Sequence, residues 1–116
     1  IGVQIAKEYA DDEDAFSKKI YDVIGAGVGI IESVPAAVSI AYYTQDPNKC
    51  CLMCANLGGD TDTIGAMATA ICGAFVGYSK IHPEYTELLR VQNPETDFEE
   101  YINILEKGRE LLGCGR

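Results

Sequence analysis

One apolar segment near the middle of the chain constrains the fold more than any other feature of the sequence. Residues 63–79 carry no charged side chain, and glycine and alanine recur there at four-residue steps. Small side chains at this spacing form a ridge that lets neighbouring helices approach closely, near the lower end of the roughly 8–10 Å interaxial range. The segment is a little short for a membrane span and is studded with glycine and threonine. We therefore expect a central Gly/Ala-rich helix over residues 60–80, apolar nearly all round. Its apolar stripe would be Ile64, Met67, Ile71, Phe75 and Tyr78, beside two small ridges formed by Gly65, Thr69, Gly73 and Gly77, and by Ala66, Ala70 and Ala74.

The residues just before this segment read GGDTDTIG and are rich in oxygen-bearing side chains. Two glycines provide a turn, and Asp60 is a natural N-cap for the helix that follows. Asp62 and Thr63 then fall in the first helical turn, with Asp60 and Thr63 on one face. A helix N-terminus favours negative charge, but two carboxylates this close repel each other. A hard divalent cation such as Mg²⁺ or Ca²⁺ would resolve the conflict, because these ions prefer oxygen ligands.

Several interpretations of this acidic motif compete. Asp60, Asp62 and Gly65 match positions 1, 3 and 6 of an EF-hand loop, but positions 5 and 12 would be isoleucines, which do not bind calcium. A phosphate-binding P-loop is excluded because no lysine follows the glycines. The motif is then either a doubly acidic helix cap without a ligand or half of a metal site whose other ligands lie elsewhere.

Helical patterns continue along the rest of the chain, with no alternating strand pattern of useful length. Ser33 is expected to cap a helix with Pro35 in its first turn, and Gly113 is expected to stop the last helix. The expected helices cover residues 12–24, 33–44, 46–57, 60–80, 83–91 and 97–112.

A second candidate site lies at residues 24–37, which read IGAGVGIIESVPAA. A glycine-rich loop before a helix N-terminus can approach a phosphate closely and donate backbone N–H groups to it. By itself this signal is weak, because alternate glycines are more often a permissive connection. Glu32 could equally be an ordinary acid at a helix start.

The composition of the chain restricts the binding partners and the cellular compartment that we expect for it. The net charge of −9, from 18 acidic and 9 basic residues, argues against nucleic acid or an anionic membrane. Cys51 and Cys54 form a CxxC pair, but with a single histidine in the chain we expect buried free thiols. Free thiols and the lack of a visible signal peptide favour the cytoplasm. The five cysteines are Cys50, Cys51, Cys54, Cys72 and Cys114.

Taken together, IGAGVGIIESVPAA and the later ANLGGDTDTIGAMATAICGAFVG closely resemble the C-terminal part of the ADP-ribosylglycohydrolase family. The resemblance is strong over residues 21–78 and weak beyond them, and it looks closest to an uncharacterised enterobacterial, and hence bacterial, branch. It implies an all-α fold with two divalent metals, usually Mg²⁺ and sometimes Mn²⁺, held between helices.

Carried over residue by residue, the resemblance places the metal ligands on Asp60, Asp62 and Thr63, with Asp62 bridging the two metals. It places the ADP-ribose loop on Gly27, Val28 and Gly29, where Val28 would pack against the ligand and the glycines would let the backbone approach. Two further residues, Glu32 and Ser33, would shape that loop.

The resemblance also predicts what this chain would lack. Family members are considerably longer, so residues 1–116 are expected to form only the C-terminal portion of a single domain. The other metal ligands and the catalytic acid/base group would lie in the missing N-terminal portion, which would be a partner of this chain. The isolated chain is accordingly expected to be inactive.

Three functional hypotheses follow. The first is metal-dependent hydrolysis of the glycosidic bond in ADP-ribosylated proteins or small ADP-ribose conjugates. The second is a non-catalytic ADP-ribose-binding or structural member of the same fold, and the third is a plain helical interaction domain. A repelling acid pair on a buried helix favours the first hypothesis, because neither alternative requires it.

Overall fold

The computed structural model describes residues 1–113, which divide into two compact units at the His82–Pro83 junction. The described part of the chain is helical and contains no strand, which confirms the all-α prediction. The first unit contains helices α1 (Gly2–Glu8), α2 (Glu13–Val23), α3 (Ile30–Thr44), α4 (Pro47–Leu57) and α5 (Thr61–Val76), followed by a short 3-10 helix (Tyr78–Lys80). The second unit contains α6 (Pro83–Gln92) and α7 (Phe98–Leu111).

The hydrophobic core of the first unit lies where α2, α3, α4 and α5 meet. Phe16 and Ile20 on α2, Ile40 on α3 and Ile64 on α5 are fully buried. The Phe16 ring stacks on Tyr43 with the ring centroids 3.9 Å apart, and the Tyr43 hydroxyl donates to the carbonyl of Tyr9. Burial of several large side chains by helices far apart in sequence fixes the arrangement of the unit, since each contributes roughly 1.5–3 kcal/mol.

Two helices start where the sequence predicted them, and each start carries a side-chain cap. The Asp12 carboxylate accepts from the N–H of Ala15 at 3.0 Å, and the Asp46 carboxylate accepts from the N–H of Asn48 at 2.8 Å. Pro47 occupies the first turn of α4, where its missing N–H leaves no bond unmade. The backbone hydrogen bond to Asn48 holds the pKa of Asp46 below its ordinary value, because it stabilises the ionised carboxylate.

The predicted N-cap of α3 is wrong by four residues, because the cap is Gly29 and not Ser33. The N–H groups of Glu32 and Ser33 both donate to the carbonyl of Gly29 at 2.9 Å, so the first turn begins at Ile30. Ser33 is therefore inside the helix rather than at its cap, and its hydroxyl donates back to the Gly29 carbonyl at 3.2 Å. Pro35 lies in the second turn instead of the first. The sequence reading also missed α1, a seven-residue helix at the N-terminus.

Helix α5 is the predicted central Gly/Ala-rich helix, since it packs against both α3 and α4. Its burial is nevertheless one-sided, which corrects the expectation of a helix buried nearly all round. Ile64, Ala68 and Cys72 are buried at four-residue steps, whereas Phe75 is 71% exposed. The helix ends at Val76 because Gly77 adopts φ 89°. The last turn of the predicted helix, which extended to residue 80, is a separate 3-10 helix. Side chains on the outward face include Ala66, Ala70, Ala74 and Ile71.

A buried asparagine ties the end of this unit to the start of α4. The Asn48 amide donates to the carbonyl of Lys80 at 2.9 Å and accepts from the N–H of His82 at 2.8 Å. Asn48 is only 7% exposed, so these bonds form largely away from water. The amide therefore fixes the chain that leaves the 3-10 helix against α4.

Replacing Asn48 with alanine should lower the free energy of unfolding by roughly 1–3 kcal/mol, because it removes hydrogen bonds made in a buried position. Urea denaturation measures the change. Asn56→Ala is the control: it also removes an amide bond, to the Leu52 carbonyl at 2.9 Å, but at an exposed position. The control should stay within about 0.5 kcal/mol of the parent. Equal losses of unfolding free energy in the two variants would show that the Asn48 bonds stabilise the protein no more than an exposed amide bond does.

The second unit consists of two amphipathic helices. The Asp97 carboxylate caps α7 by accepting from the N–H of Glu100 at 3.0 Å, and Arg90 pairs with Glu99 at 3.4 Å. Both helices lie within about a residue of their predicted bounds, and Gly113 follows with φ 65°. Cys114 lies outside the described residues.

Among residues 1–113, no helix combines the length and the apolar character needed to cross a bilayer.

Candidate functional site

The acidic motif forms the N-terminus of α5. Asp60 occupies the N-cap position, but its side chain makes no capping bond to the helix. Its backbone N–H instead donates to the carbonyl of Ala26 at 2.7 Å. Asp60 is half-buried, whereas Asp62 and Thr63 in the first turn are exposed. The carboxylates of Asp60 and Asp62 and the Thr63 hydroxyl thus stand at a helix end that is anchored by its backbone.

The ionised form of Asp62 is favoured at this helix end. The Asp60 side chain, together with the backbone N–H groups of Thr63 and Asp62, holds the pKa of Asp62 below its ordinary value. Backbone N–H groups at a helix N-terminus stabilise negative charge in this way. Asp62 is consequently a carboxylate at neutral pH, which is the form that binds a cation.

The glycine-rich loop between α2 and α3 lies directly against the acidic motif. A Cβ atom placed on Gly59 would stand 2.1 Å from the Ala26 carbonyl oxygen, a distance that no side chain permits. Gly59 also adopts φ 73°, a conformation that favours glycine. Two segments more than thirty residues apart in sequence therefore meet through their backbones, at Ala26 and Asp60.

Glu32 holds the glycine-rich loop from within. Its carboxylate accepts from the N–H of Gly27 at 2.8 Å. A Cβ atom on Gly25 or Gly27 would approach the Glu32 Oε2 atom to 2.5 or 2.7 Å, so only glycine leaves room for the carboxylate. Ser33 is buried behind the loop, while Val28 is 85% exposed and Gly29 is exposed beside it. Val28 and Gly29 therefore face solvent, whereas Glu32 and Ser33 hold the loop in place from the inner side.

Replacing Glu32 with alanine should loosen this loop without unfolding the unit. The Gly27 amide would lose a charge-assisted hydrogen bond, so its hydrogen exchange should accelerate by about tenfold or more. NMR-detected amide exchange measures this directly. Glu32→Gln is the matched control, because the glutamine side-chain oxygen still accepts from the Gly27 N–H and should retain most of the protection. If Gly27 exchanges equally fast in the parent and in Glu32→Ala, Glu32 does not hold the loop.

The metal-binding potential of the chain is partial. Within the residues that the structure describes, no group of three or more His, Cys, Asp or Glu side chains could together hold a metal ion. Two carboxylates and one hydroxyl are nevertheless the oxygen donors that Mg²⁺ and Ca²⁺ prefer. The donors at Asp60, Asp62 and Thr63 therefore fit part of a hard-cation site, which would need ligands from outside this motif to be complete.

The four cysteines within residues 1–113 form no second site. Cys50, Cys54 and Cys72 are buried in the α4–α5 interface region, but Cys51 is exposed, so the prediction of two buried thiols in the CxxC pair is wrong for Cys51. Residues three apart in a helix lie only about 60° from each other around its axis, so the spacing alone did not separate Cys51 from Cys54. A hydrogen bond with Cys54 together with burial raises the pKa of Cys50, and burial raises the pKa of Cys72. These two thiols stay protonated and behave as core side chains.

Sequence reasoning missed one residue that organises the site, Ala26. It is 4% exposed, and its carbonyl is the acceptor for the Asp60 N–H. Only the paired glycines before Asp60 hinted that a second backbone approaches there, since such pairs leave room for close contact. Nothing in the sequence identified the approaching residue.

An all-α fold with a glycine-rich loop against an acidic helix start agrees with the comparison to known families. The ADP-ribosylglycohydrolase family model matches residues 2–112, and the chain therefore belongs to that family. The resemblance predicted from the two motifs is thereby confirmed.

Three individual relatives show how similar the chain is to particular proteins. It is 50% identical over 102 residues to the uncharacterized protein YegU of Escherichia coli (strain K12), a match that covers 87% of this chain and 30% of that protein. It is 35% identical over 86 residues to the ADP-ribosylhydrolase ARH3 of Xenopus tropicalis, covering 65% of this chain and 25% of that protein. It is 30% identical over 96 residues to the ADP-ribosylarginine hydrolase Tri1 of Serratia proteamaculans (strain 568), covering 72% and 26% respectively.

The chain thus spans less than a third of the length of the curated relatives that it matches. No solved structure gives a significant match.

Proposed function

We propose that this chain forms part of a metal-dependent hydrolase that cleaves the glycosidic bond of ADP-ribosylated substrates. The observation that carries the proposal is the hydrogen bond of 2.7 Å between the Asp60 N–H and the Ala26 carbonyl. This bond holds the oxygen donors of the acidic motif next to the glycine-rich loop. A ligand with a pyrophosphate and a ribose needs both kinds of group within its own length.

The proposed division of labour follows from the exposed and buried groups. Gly27, Val28 and Gly29 would form the edge that meets ADP-ribose, with the exposed Val28 supplying an apolar contact. Glu32 and Ser33 would keep this edge in place through their bonds to Gly27 and Gly29. Such preorganised backbone lowers the entropy lost when the ligand binds.

Asp60, Asp62 and Thr63 would hold the metal, Mg²⁺ or Mn²⁺, of which the family binds two. A bound divalent cation would orient the ribose hydroxyls and a water molecule, and would polarise the bond that breaks. The low pKa of Asp62 supports this role, because the side chain needs no proton loss at neutral pH before it binds. The general acid/base group and the remaining ligands are assigned to the portion of a longer polypeptide that this chain does not contain.

The relatives support the reaction class, since their names describe an ADP-ribosylhydrolase and an ADP-ribosylarginine hydrolase. Substrates of the complete protein would accordingly be ADP-ribosylated proteins or small ADP-ribose conjugates. We place it in the cytoplasm, because the four cysteines described by the structure are free thiols.

The test is incubation of the complete protein with ADP-ribosylated arginine and serine peptides, with and without EDTA. Release of free ADP-ribose that EDTA abolishes and added Mg²⁺ restores is the expected result. Release from only one peptide would identify the acceptor. Tight binding of ADP-ribose without release from either peptide would instead favour the non-catalytic binding protein, and absence of both would reject the proposal.

A further inference from the structure

A groove with a volume of about 720 Å³ lies on the first unit, between α2 and α4. We call it the α2/α4 groove. Its volume falls within the roughly 300–1,000 Å³ that is typical of ligand sites. The uncharged side chains that line it are those of Ser17, Tyr21, Leu52, Met53, Asn56 and Leu57.

The two helices that form the groove run side by side in the same direction. Near their starts, the Lys49 ammonium group pairs with the Glu13 carboxylate. Near their ends, a Cβ atom placed on Gly58 would stand 3.4 Å from the Tyr21 ring. The groove therefore follows both helices from Lys49 to Gly58, a length of about 14 Å at the helical rise of about 1.5 Å per residue.

Both segments of the candidate site begin at the same end of this groove. Helix α2 leads into the glycine-rich loop, and α4 leads through Gly58 and Gly59 into the acidic motif. The hydrogen bond between the Asp60 N–H and the Ala26 carbonyl joins the two segments there. A chain that lies along the α2/α4 groove therefore reaches the candidate site at that end.

The charges in the groove suit a neutral or cationic occupant. Its two lysines are already paired, Lys49 with Glu13, and Lys18 with Asp22 at 2.6 Å. A third carboxylate, that of Asp14, lines the same groove, so the lining carries three acids and two bases. An anionic occupant such as a nucleotide would therefore be repelled by the lining.

The remaining side chains suit a polypeptide. Leu52, which is 55% exposed, and the buried Met53 and Leu57 supply apolar surface. Ser17 and Asn56 add a hydroxyl and an amide, which can hydrogen-bond to a peptide backbone. An extended chain advances about 3.3 Å per residue, so the groove holds about four residues.

We propose that the α2/α4 groove binds the polypeptide to which ADP-ribose is attached, over about four residues on one side of the modified residue. The inference rests on the proposed function, since it takes the glycine-rich loop and the acidic motif as the site of the ADP-ribose. It narrows the substrate class from ADP-ribose conjugates in general to ADP-ribosylated proteins. Leu52 and Asp14 then contribute to selection among acceptor sequences.

The experiment compares two ligands of the complete protein by isothermal titration. One is free ADP-ribose, and the other is ADP-ribose joined by a stable triazole to a peptide with about four residues on each side of the attachment point. The peptide conjugate should bind at least about fivefold more tightly, because the groove buries additional apolar surface. The triazole is not hydrolysed, so the measurement does not depend on turnover.

Leu52→Lys should abolish this gain in affinity, because it places a charge on the apolar part of the groove. Its affinity for free ADP-ribose should stay within about twofold of the parent, because sites that share no partners act independently. Leu88→Lys is the matched control, since Leu88 is 58% exposed and lies on α6. The control should retain the full gain.

The charge of the peptide provides a second measurement. A conjugate with arginine at the fourth residue on both sides should bind at least about threefold more tightly than one with glutamate there, because Asp14 leaves the groove with an excess of negative charge. Asp14→Lys should reverse this order.

The outcomes separate this inference from the proposed function. Equal affinities of the parent for the conjugate and for free ADP-ribose would overturn the inference alone. Equal losses of the gain in Leu52→Lys and Leu88→Lys, or an unchanged preference for arginine in Asp14→Lys, would do the same. Absence of binding to both ligands would reject the proposed function and the inference together.

Discussion

Gly59→Ala should strongly destabilise the first unit. The new Cβ atom would stand 2.1 Å from the Ala26 carbonyl oxygen, and the residue would have to keep φ 73°. The obstructing atom belongs to the backbone, so no side-chain rotation relieves the clash. Overpacking and backbone strain together should lower the free energy of unfolding by about 2–5 kcal/mol.

Alanine substitutions at two other glycines separate the contribution of the steric clash from that of backbone strain. Gly77 also has a positive φ, of 89°, but a Cβ atom there meets nothing within 4 Å, so Gly77→Ala reports strain alone, about 1–3 kcal/mol. Gly73 lies inside α5 with open space around it, so Gly73→Ala should stabilise the protein by about 0.5–1 kcal/mol. Urea denaturation of the three variants gives the order, and a Gly59→Ala loss equal to that of Gly77→Ala would show that the loop does not press on Gly59.

Asp62→Ala should remove most metal binding from the complete protein. The change deletes a carboxylate that is exposed and ionised at the start of α5. Loss of a direct ligand should weaken Mg²⁺ or Mn²⁺ binding by more than about a hundredfold, since even partners of ligands contribute about 10–100-fold. Isothermal titration with Mn²⁺ measures the affinity, and turnover of ADP-ribosylated peptide should fall with it.

The control for this prediction is Asp22→Ala, which removes an exposed carboxylate paired with Lys18 at 2.6 Å on α2. It changes the net charge equally but leaves the acidic motif intact, so metal affinity should stay within about twofold of the parent, as expected for a screened surface charge. Unchanged metal content and turnover in Asp62→Ala would reject Asp62 as a ligand.

Much of the fold was predictable because its signals are local. Asp12 and Asp46 cap helices through bonds to residues two or three positions away, and Pro47 marks a helix start by its own geometry. The start of α3 was not predictable, because the choice between Gly29 and Ser33 as the N-cap depends on where the Glu32 carboxylate lies. That carboxylate bonds to Gly27, and the loop conformation that permits the bond is tertiary.

The candidate site was likewise predictable only in part. The residue types at Asp60, Asp62 and Thr63 and the spacing of Gly27 and Gly29 are visible in the sequence, and their chemistry predicts oxygen ligands beside a permissive loop. Their proximity is not visible, because it rests on one backbone contact between Ala26 and Asp60. The exposed side of α5 was also unpredictable, since periodicity reports that a face is apolar without saying whether a neighbour covers it.

The contact between Ala26 and Asp60 joins two main-chain groups, an N–H and a carbonyl, and involves no side chain of either residue. Substitutions at Val28 and along the first turn of α5 can therefore alter charge, size and polarity while the two segments remain in register, provided that the glycines at positions 25, 27 and 59 and the carboxylate of Glu32 are kept. The backbone contact therefore sets the distance between the glycine-rich loop and the acidic motif, whatever side chains they carry. Under the proposed function, specificity for the group attached to ADP-ribose would be free to diverge among proteins with this architecture, because the backbone contact that would hold the common part of the substrate would stay unchanged.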